Sequence, residues 1–300
     1  MSAATDLPAR LAAAGPDERS VLGKVRLLLD AFAIDDTGLS LAEIVRRTGL
    51  AKPTVHRLCQ ELVGWGLVER DPAGYRLGLA LFEMGQRVPR QRVLRDAALP
   101  HLEELFVATR ETVHCAVLDG FEVVYIEKIS GYRQVGRPSR IAGRMPLHCT
   151  ATGKALLAFG APSLREAALA RPLSRRTPRT ITSAHLLQNQ LAAVVVNGFA
   201  VEHEETRLGH SSVAAPIFGP SGVLAGALSV TAPTSRVHVS RLSTVVRQTA
   251  GAVTRALARP AVRPAGRPDP RGGVAHLFPA CAGSDSSGPD RSALDPQEQP

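Results

Sequence analysis

The amino-acid sequence predicts an α+β fold with a small helical region and hairpin, two linker helices and a larger mixed α/β region. Three patterns support this division. Helical spacings and a hairpin fill residues 20–80, helical spacings alone fill 81–111, and strands alternate with helices over 112–258. The two ends lack such periodicity. We therefore expect residues 1–19 to be a flexible lead and residues 259–300 a disordered tail rich in proline.

The composition is that of a globular protein with a modest excess of positive charge. Its 300 residues are 44% hydrophobic, and 36 Lys and Arg against 27 Asp and Glu give a formal net charge of +9. A basic protein favours an acidic partner, with nucleic acid first and an anionic membrane surface second. Because the arginine-rich tail inflates this charge, it is weak support by itself.

Targeting and redox signals are those of a reduced protein of the cytoplasm. Residues 1–10 contain no apolar segment of a signal peptide, and no run approaches eighteen apolar residues. The four cysteines are far apart and form no CxxC pair. We therefore expect a cytoplasmic location, no membrane partner, no disulfide and no structural zinc.

The first two helices are predicted from apolar spacing and from capping residues. The first helix buries one face formed by Val25, Leu28, Leu29 and Phe32. A second helix starts at Ser40, where Ser40 and Glu43 form a capping box that satisfies free amides of the first turn. Gly49 ends this helix after about two turns.

A third helix and a hairpin complete the N-terminal region. The helix begins at Pro53 and turns its apolar residues inward: Val55, Leu58, Cys59, Leu62 and Val63. Strands over residues 67–70 and 75–77 flank a turn at 71–74 that has Pro and Gly where a type I turn favours them. Two short helices joined by a glycine turn and followed by a hairpin predict a winged helix-turn-helix.

The outer side of the third helix is the predicted DNA-binding surface. Side chains at its start are placed to reach base edges, and these are Thr54, His56 and Arg57. Other basic residues are placed for phosphates, and these are Arg46, Arg47 and Lys52, with Arg70 and Arg76 on the wing. The alternative is a small helical module with a solvated charged face; the ordered helices and wing favour double-stranded DNA.

Three ordered blocks of sequence resemble the IclR family of bacterial transcriptional regulators. The first is SLAEIVRRTGLAKPTVHRLCQELVGWGL at residues 40–67, and the second is RMPLHCTATGKALL at 144–157. The third spans residues 198–236, beginning GFAVEHEETRLGHSS. The resemblance extends from about residue 20 to 257.

The resemblance implies a GAF-like C-terminal domain that binds an effector, and a regulator that acts as a dimer or a dimer of dimers on paired half-sites. Effectors of the family are small acids, aromatic catabolites or sugar-derived metabolites. The matched positions imply effector contacts from Ala151, Thr152, Glu202, His210, Ser212, Ser229 and Thr231. Ser229 and Thr231 alternate with apolar neighbours, so both hydroxyls point to one face. Family members often carry Asp at 202 and Cys at 212, so no known effector is transferred.

Two other classes of function remain as alternatives. Residues 150–155 resemble a phosphate-binding loop, and residues 209–213 resemble the nucleophile elbow of a hydrolase. Both motifs, which would indicate an enzyme, are incomplete. A zinc site could form if its potential ligands converged, namely His148, Cys149, Glu202, His203 and His210. The sequence favours neither. We expect a homo-oligomeric transcription regulator whose operator binding responds to a small metabolite, without catalytic residues, metal or cofactor.

Overall fold

The computed structural model of the protein describes residues 20–131 and 139–259. The predicted flexible lead and the predicted tail, apart from Arg259, lie outside these residues. The helices are α1 (Val21–Asp30), α2 (Leu41–Thr48), α3 (Lys52–Gly64), α4 (Leu79–Gln86), α5 (Pro89–Thr109), α6 (Ala151–Phe159), α7 (Pro162–Leu169), α8 (Ala184–Asn197) and α9 (Val239–Ala258). The strands are β1 (Val68–Asp71), β2 (Gly74–Leu77), β3 (Thr112–Asp119), β4 (Glu122–Ile129), β5 (Arg144–Pro146), β6 (Ala200–His203), β7 (His210–Phe218) and β8 (Leu224–Pro233).

The ends of α2 follow the predicted capping residues in part. The Ser40 hydroxyl accepts a hydrogen bond from the Glu43 amide at 3.2 Å, and Gly49 ends the helix with a φ of 68°. The reciprocal half of the capping box is wrong, because the Glu43 carboxylate binds the guanidinium groups of Arg46 and Arg47. Two nearby cations compete for the carboxylate more strongly than one amide does.

Helix α3 buries the face that its spacing predicts. It starts at Lys52, with Pro53 in the first turn, and its fully buried side chains are Val55, Leu58, Cys59 and Leu62. Val63 is only half-buried. Trp65 follows the end of the helix with 66% of its surface exposed. The α3 core is therefore complete without the indole ring.

The wing is joined to the start of α2 by its backbone. Strands β1 and β2 pair antiparallel, with Asp71 opposite Gly74. Tyr75 and Leu39 exchange two backbone hydrogen bonds of 2.7 and 2.9 Å. Gly74 has a φ of 135°, and a Cβ there would lie 2.4 Å from the Leu39 carbonyl oxygen, so only glycine allows this close approach.

The two linker helices differ in their packing. We expected them at about residues 79–87 and 93–110, and α5 begins four residues earlier, at Pro89, whose fixed φ suits a first turn. Helix α5 buries Leu94, Ala98, Leu102 and Leu105. Helix α4 is largely apolar and yet has no buried residue. Its apolar side chains are therefore exposed to solvent and available to a partner.

A six-stranded antiparallel sheet organises the rest of the described chain. The strand order is β5-β4-β3-β8-β7-β6, and every neighbouring pair is antiparallel. The sequence predicts strands over residues 114–118, 121–129, 212–218 and 223–231, and β3, β4, β7 and β8 lie there with ends shifted by up to two residues. The sequence did not predict β5, β6 or α7. Side chains from alternating positions of β3, β7 and β8 form an apolar core with α5 and α9.

The opposite face of the sheet is covered by α6 and α8. Its centre consists of small side chains, namely Ala116, Ala200, Ala214 and Ala227. These let α6 approach closely, so that eight of its nine residues are buried. The side chains at one end of the same face are polar, and they form the candidate effector site.

A buried ion pair fixes α6 to the segments that follow it. The Lys154 ammonium, with none of its side chain exposed, binds the Glu205 carboxylate and donates to Gln190 Oε1 at 2.7 Å. The Thr180 hydroxyl donates to the Glu205 carbonyl oxygen at 2.7 Å, and Thr177 does the same to Glu204. Together these bonds hold the loop before α8 and the loop after β6 against α6.

We predict that Lys154→Met lowers the free energy of unfolding by about 3–5 kcal/mol, because it leaves the Glu205 carboxylate buried without its cation. Urea denaturation of the full chain measures this loss. Adding Glu205→Gln should recover part of it, since the second charge is then removed as well. The matched control is Arg26→Met, which breaks an exposed pair with Asp30 and should cost less than about 1 kcal/mol. Equal losses in Lys154→Met and Arg26→Met would contradict the assignment.

Candidate DNA-binding and effector sites

The outer face of α3 presents the side chains predicted to read DNA. Lys52, His56 and Arg57 are exposed and Thr54 is half-buried, while Val55 between them is fully buried. Residues on the buried face fix the helix against α2, so the exposed residues keep a constant position relative to the wing. This geometry is compatible with insertion of the first two turns into a major groove.

Arg57 is held by an acidic neighbour one turn along α3. Its Nη1 lies 2.6 Å from Glu61 Oε1, and the two side chains are 59% and 42% exposed. An exposed pair of this spacing contributes only about 0.3–0.5 kcal/mol. Arg57 can therefore exchange the carboxylate for a base edge or phosphate at little cost.

Arg46 and Arg47 are engaged within the N-terminal region. Hydrogen bonds from both guanidinium groups lower the pKa of the Glu43 carboxyl to about 2. Arg47 also binds both carboxylate oxygens of Asp36, at 2.5 and 3.2 Å, and the carbonyl oxygen of Ala31 at 2.9 Å. Arg47 therefore connects α2 to the end of α1. Its predicted phosphate contact stays a prediction, and it would require these bonds to be shared or exchanged.

The wing arginines have different surroundings. Arg76 forms an ion pair with Glu69 across the hairpin at 2.8 Å, and the guanidinium of Arg70 lies 5.8 Å from the centre of the Tyr75 ring. The Tyr75 hydroxyl accepts a hydrogen bond of 3.2 Å from Gln60 of α3. Tyr75 thus connects the wing to α3 and positions Arg70 beside it.

The register of the sheet brings three of the predicted effector residues into one row, whereas His210 of β7 lies outside this row, opposite Pro233. Glu202 pairs with Ser212, Ser212 with Thr231, and Thr231 with Thr112. Ser229 lies two pairs further along, opposite His114. Because Val230 and Leu228 belong to the apolar core on the other face, the two predicted hydroxyls of β8 do share the α6 face.

Glu202 and the neighbouring hydroxyls are already bonded to one another. Glu202 Oε1 accepts the backbone amides of Glu205 and Thr206 at 2.5 and 3.0 Å. Burial raises the pKa of the Glu202 carboxyl, and these two amides and the facing Ser212 hydroxyl oppose that rise. The Ser212 and Thr231 hydroxyl oxygens are 2.9 Å apart. This row can donate and accept hydrogen bonds but carries no cation of its own.

The start of α6 supplies backbone donors next to this row. The Thr150 hydroxyl caps the helix by accepting the Gly153 amide at 3.0 Å. Ala151 and Thr152, the predicted effector contacts, are 2% and 1% exposed. Amides in the first turn of a helix and the helix dipole favour an anionic group at this position.

Sequence reasoning missed the residues of β3 and β4 that complete the polar end of the sheet. His114 Nε2 lies 2.7 Å from the Ser139 hydroxyl oxygen, and its ring packs 4.7 Å from that of Tyr125. Burial, with a smaller contribution from the Lys128 charge, lowers the pKa of His114 to about 3. Burial also raises the pKa of Tyr125 to about 12. Polar residues alternating with Val113 and Cys115 were the available signal.

A cavity of about 670 Å³ lies at the opposite end of β3 and β8. It is lined mainly by apolar side chains of the start of α5, the turn between β7 and β8, and the end of α9. It includes none of the predicted effector residues. Buried polar atoms without partners occur at the polar end instead, which makes that end the better candidate for a specific polar ligand.

Three of the residues considered for an enzyme or metal site, Lys154, His148 and His203, have structural partners. The Lys154 ammonium, which resembles a phosphate-loop lysine in sequence, is buried against Glu205. His148 Nε2 contacts the Ser174 carbonyl oxygen at 2.9 Å, and His203 contacts the Ser211 hydroxyl at 3.1 Å. In the described parts of the chain, no three His, Cys, Asp or Glu residues are grouped to hold a metal ion.

Two further properties of the described residues concern cysteines and membranes. Cys59, Cys115 and Cys149 are buried free thiols, and burial raises the pKa of Cys149 to about 12, which keeps it unreactive. Cys281 lies outside the described residues. No helix within residues 20–131 or 139–259 is both long and apolar enough to cross a membrane.

Comparison with known proteins identifies both parts of the chain. The family described as IclR helix-turn-helix domain matches residues 21–72, and the family described as bacterial transcriptional regulator IclR C-terminal matches 86–255. The regulator XynR of Escherichia coli is 36% identical over 240 residues, which cover 78% of this chain and 95% of XynR. The regulator KdgR of the same species is 34% identical over 77% of this chain and 89% of its own length.

Solved structures of the same class superpose on the fold. An IclR homolog from Microbacterium hydrocarbonoxydans, complexed with 4-hydroxybenzoate, has a TM-score of 0.75 and 33% identity, covering 79% of this chain and 99% of its own. The IclR protein of Thermotoga maritima has a TM-score of 0.68 and 30% identity, covering 79% and 98%.

The fold and the matches define a DNA-binding transcription regulator with a C-terminal ligand-binding domain. The chain belongs to the IclR family of bacterial transcriptional regulators. Its partners are therefore DNA and a small-molecule effector, and its relatives are regulators rather than enzymes. The predicted fold class, family and function are confirmed.

We predict that protonation of His114 opposes folding at acid pH. The folded-state pKa is about 3 and the ordinary value is 6.5, so between these values the unfolded chain binds a proton that the folded chain does not. Stability is then lost as pH falls below 6.5. His114→Phe should reduce the loss between pH 7 and 5.5 by about 1 kcal/mol. Urea denaturation at both pH values measures it; parallel pH profiles for wild type and variant would contradict it.

Proposed function

We propose that α3 inserts into the major groove of an operator, with Thr54, His56 and Arg57 facing base edges. The observation that carries this proposal is that all three lie on the outer side of a helix whose opposite face is fully buried. An arginine can bind guanine through two hydrogen bonds, and a threonine methyl group can contact thymine. The role requires access to chromosomal DNA, which is consistent with a cytoplasmic protein.

We call the DNA-binding region over residues 20–80 the reader. Its remaining basic residues contribute affinity for DNA rather than sequence preference. Lys52, at the start of α3, and Arg76 and Arg70, on the wing, are exposed and placed for phosphates. Each phosphate contact releases counterions, so operator binding is strongly salt-dependent. Arg46 supplements this surface from α2. Arg47 has the smallest share, because four of its N–H donors already bind within the protein.

We predict that Arg57→Ala weakens specific operator binding while leaving the fold intact. Loss of one bidentate base contact costs about 1–3 kcal/mol, or roughly tenfold to a hundredfold in affinity. Genomic footprinting of the wild type first identifies an operator, and mobility-shift titrations on that duplex and on a scrambled duplex then compare the variants.

Arg26→Ala is the matched control, because Arg26 also forms an exposed ion pair with an acid one turn away, in α1. It should leave operator affinity unchanged. Full operator affinity in Arg57→Ala would show that α3 is not docked as proposed. Absence of any sequence-specific duplex binding by the wild type would contradict the reader assignment altogether.

The effector is a small organic acid held at the polar end of the sheet. In this proposal the Ala151 and Thr152 amides hold its carboxylate. The remaining contacts come from Glu202, His210, Ser212, Ser229 and Thr231. The carboxylate of the 4-hydroxybenzoate named in a similar structure supports an acidic ligand. The longer acid at Glu202 and the hydroxyl at Ser212 give this pocket its own size and polarity.

Effector binding is transmitted through α5. This helix packs against β3, β4 and α9, so a shift of β3 at the effector site changes the surface on which α5 rests.

We propose a reader over residues 20–80, linker helices over 81–111 and an effector domain over 112–258. The C-terminal end of α4 precedes α5 by only two residues, which limits how independently the two linker helices can turn.

A second copy of the chain covers α4. Leu79, Phe82 and Met84 are 63%, 63% and 52% exposed, and Val88 just after the helix is 45% exposed. An eight-residue helix with this composition is stable when its apolar face is buried against a partner. A homodimer or homotetramer through this face also provides two readers for paired half-sites.

We predict that Phe82→Glu converts the oligomer to monomers and weakens operator binding, because a buried unpaired carboxylate is costly at an interface. Sedimentation equilibrium measures the mass of each species. Val196→Glu, which alters an 85% exposed residue of α8, is the matched control and should retain the wild-type mass. Unchanged mass in Phe82→Glu would place the interface elsewhere.

A further inference from the structure

Unpartnered polar atoms in the interior are concentrated on one face of the sheet. Within the described residues, the buried side-chain atoms that lack a hydrogen-bond partner are Thr112 Oγ1, His114 Nδ1, Thr152 Oγ1 and His210 Nδ1. Burial of a polar atom without a partner is unfavourable, so native proteins keep few of them. Because these atoms are grouped, one ligand could explain them all by supplying the missing hydrogen bonds.

The positions of these atoms match the polar end described above. Thr112 and His114 follow each other on the α6 face of β3, opposite Thr231 and Ser229 of β8. Thr152 lies in the first turn of α6, which packs over β3, β7 and β8. Its hydroxyl lies beside the Tyr125 phenol, where it opposes the rise that burial causes in the pKa of that phenol. Residues of β3 thus form a second wall of the candidate effector site.

The surroundings of His114 bind one ring nitrogen and leave the other without a partner. Nε2 contacts the Ser139 hydroxyl oxygen at 2.7 Å, and the ring is packed at 35° to that of Tyr125. With one nitrogen bound and the ring held, Nδ1 is left as the position that a ligand can use. A neutral imidazole has one donor and one acceptor nitrogen, and the Ser139 hydroxyl can complement either arrangement.

A hydroxyl group is the ligand atom that suits this position. It can donate or accept, so it complements Nδ1 in both tautomers, and it can bond the Thr112 hydroxyl at the same time. A carboxylate can only accept, and it would add a negative charge to a face that already holds the buried Glu202 carboxyl. The anionic end of the ligand is better placed at the α6 amides.

We propose that His114, assisted by Thr112, binds a hydroxyl group of the effector, which makes the effector a hydroxy acid. This inference rests on the proposed effector site and adds the residues that select among acids. A deoxy analogue would leave Nδ1 without a partner. A site built to bond a hydroxyl discriminates strongly against ligands that lack it.

The test compares matched pairs of probe acids that differ by one hydroxyl. The pairs are 4-hydroxybenzoate with benzoate, lactate with propionate, and 4-hydroxybutyrate with butyrate. Thermal-shift titrations of the full chain give an apparent Kd for each acid, and operator release is followed in parallel. We expect the wild type to bind the hydroxylated member of at least one pair about tenfold or more tightly.

Two variants remove the proposed contacts, and one matched variant serves as a control. His114→Phe keeps a ring beside Tyr125 and should bind both members of the pair equally. Thr112→Val keeps the side-chain shape, loses the hydroxyl, and should reduce the preference without weakening DNA binding. Thr244→Val makes the same change on the exposed side of α9 and should keep the wild-type preference. If His114→Phe does not fold, Thr112→Val decides the outcome.

The outcomes separate this inference from the proposed function. Equal binding of both members of every pair by the wild type, or a preference that persists in both variants, overturns the role of His114 and leaves the effector site standing. Ser229→Ala with Thr231→Val should abolish the response to both members while DNA binding remains, which tests the site itself. No response of the wild type to any pair counts against both.

Discussion

Alternation of side chains along β3, β7 and β8 gives the two faces of one sheet different chemistries. Val113, Val213 and Val230 point toward α5 and α9, where apolar contacts fill the core. The residues between them must then point toward α6. A slip of one residue in register would exchange the faces and bury hydroxyls under α5, so the apolar core keeps the polar row in place.

The same register places the proposed effector residues and α5 on opposite faces of β3. Helix α5 rests on one face of β3, and the polar residues that we assign to the effector lie on the other. A strand is only one residue thick, so a ligand that moves His114 also moves Cys115 under α5. The Lys154–Glu205 pair limits how far α6 can yield in response.

Local signals in the sequence predicted much of the fold. Ser40, Gly49 and Pro53 mark helix ends through bonds that involve only nearby residues, and apolar spacing identified the buried face of α3. Alternation in β8 was enough to place Ser229 and Thr231 on one face. The family resemblance supplied the remaining effector positions, which spacing alone does not single out.

What the sequence did not reveal depends on partners that are distant along the chain. The sequence does not show that Asp36 and Ala31 surround the Arg47 guanidinium. His114 reads as one polar residue in a strand, because its neighbours Ser229 and Ser139 come from elsewhere. Helix ends followed local rules, whereas side-chain roles depended on tertiary contacts.

The exposure of Trp65 has a spectroscopic consequence. It is the one tryptophan of the 300 residues, and it follows α3 directly with two thirds of its surface in water. Its indole emission therefore comes from the reader alone, while the effector domain contributes no tryptophan signal of its own. Titration of the unlabelled protein with an effector would leave that emission unchanged unless the change at β3 reaches the DNA-binding region, so the protein carries an intrinsic optical probe of communication between its two ends.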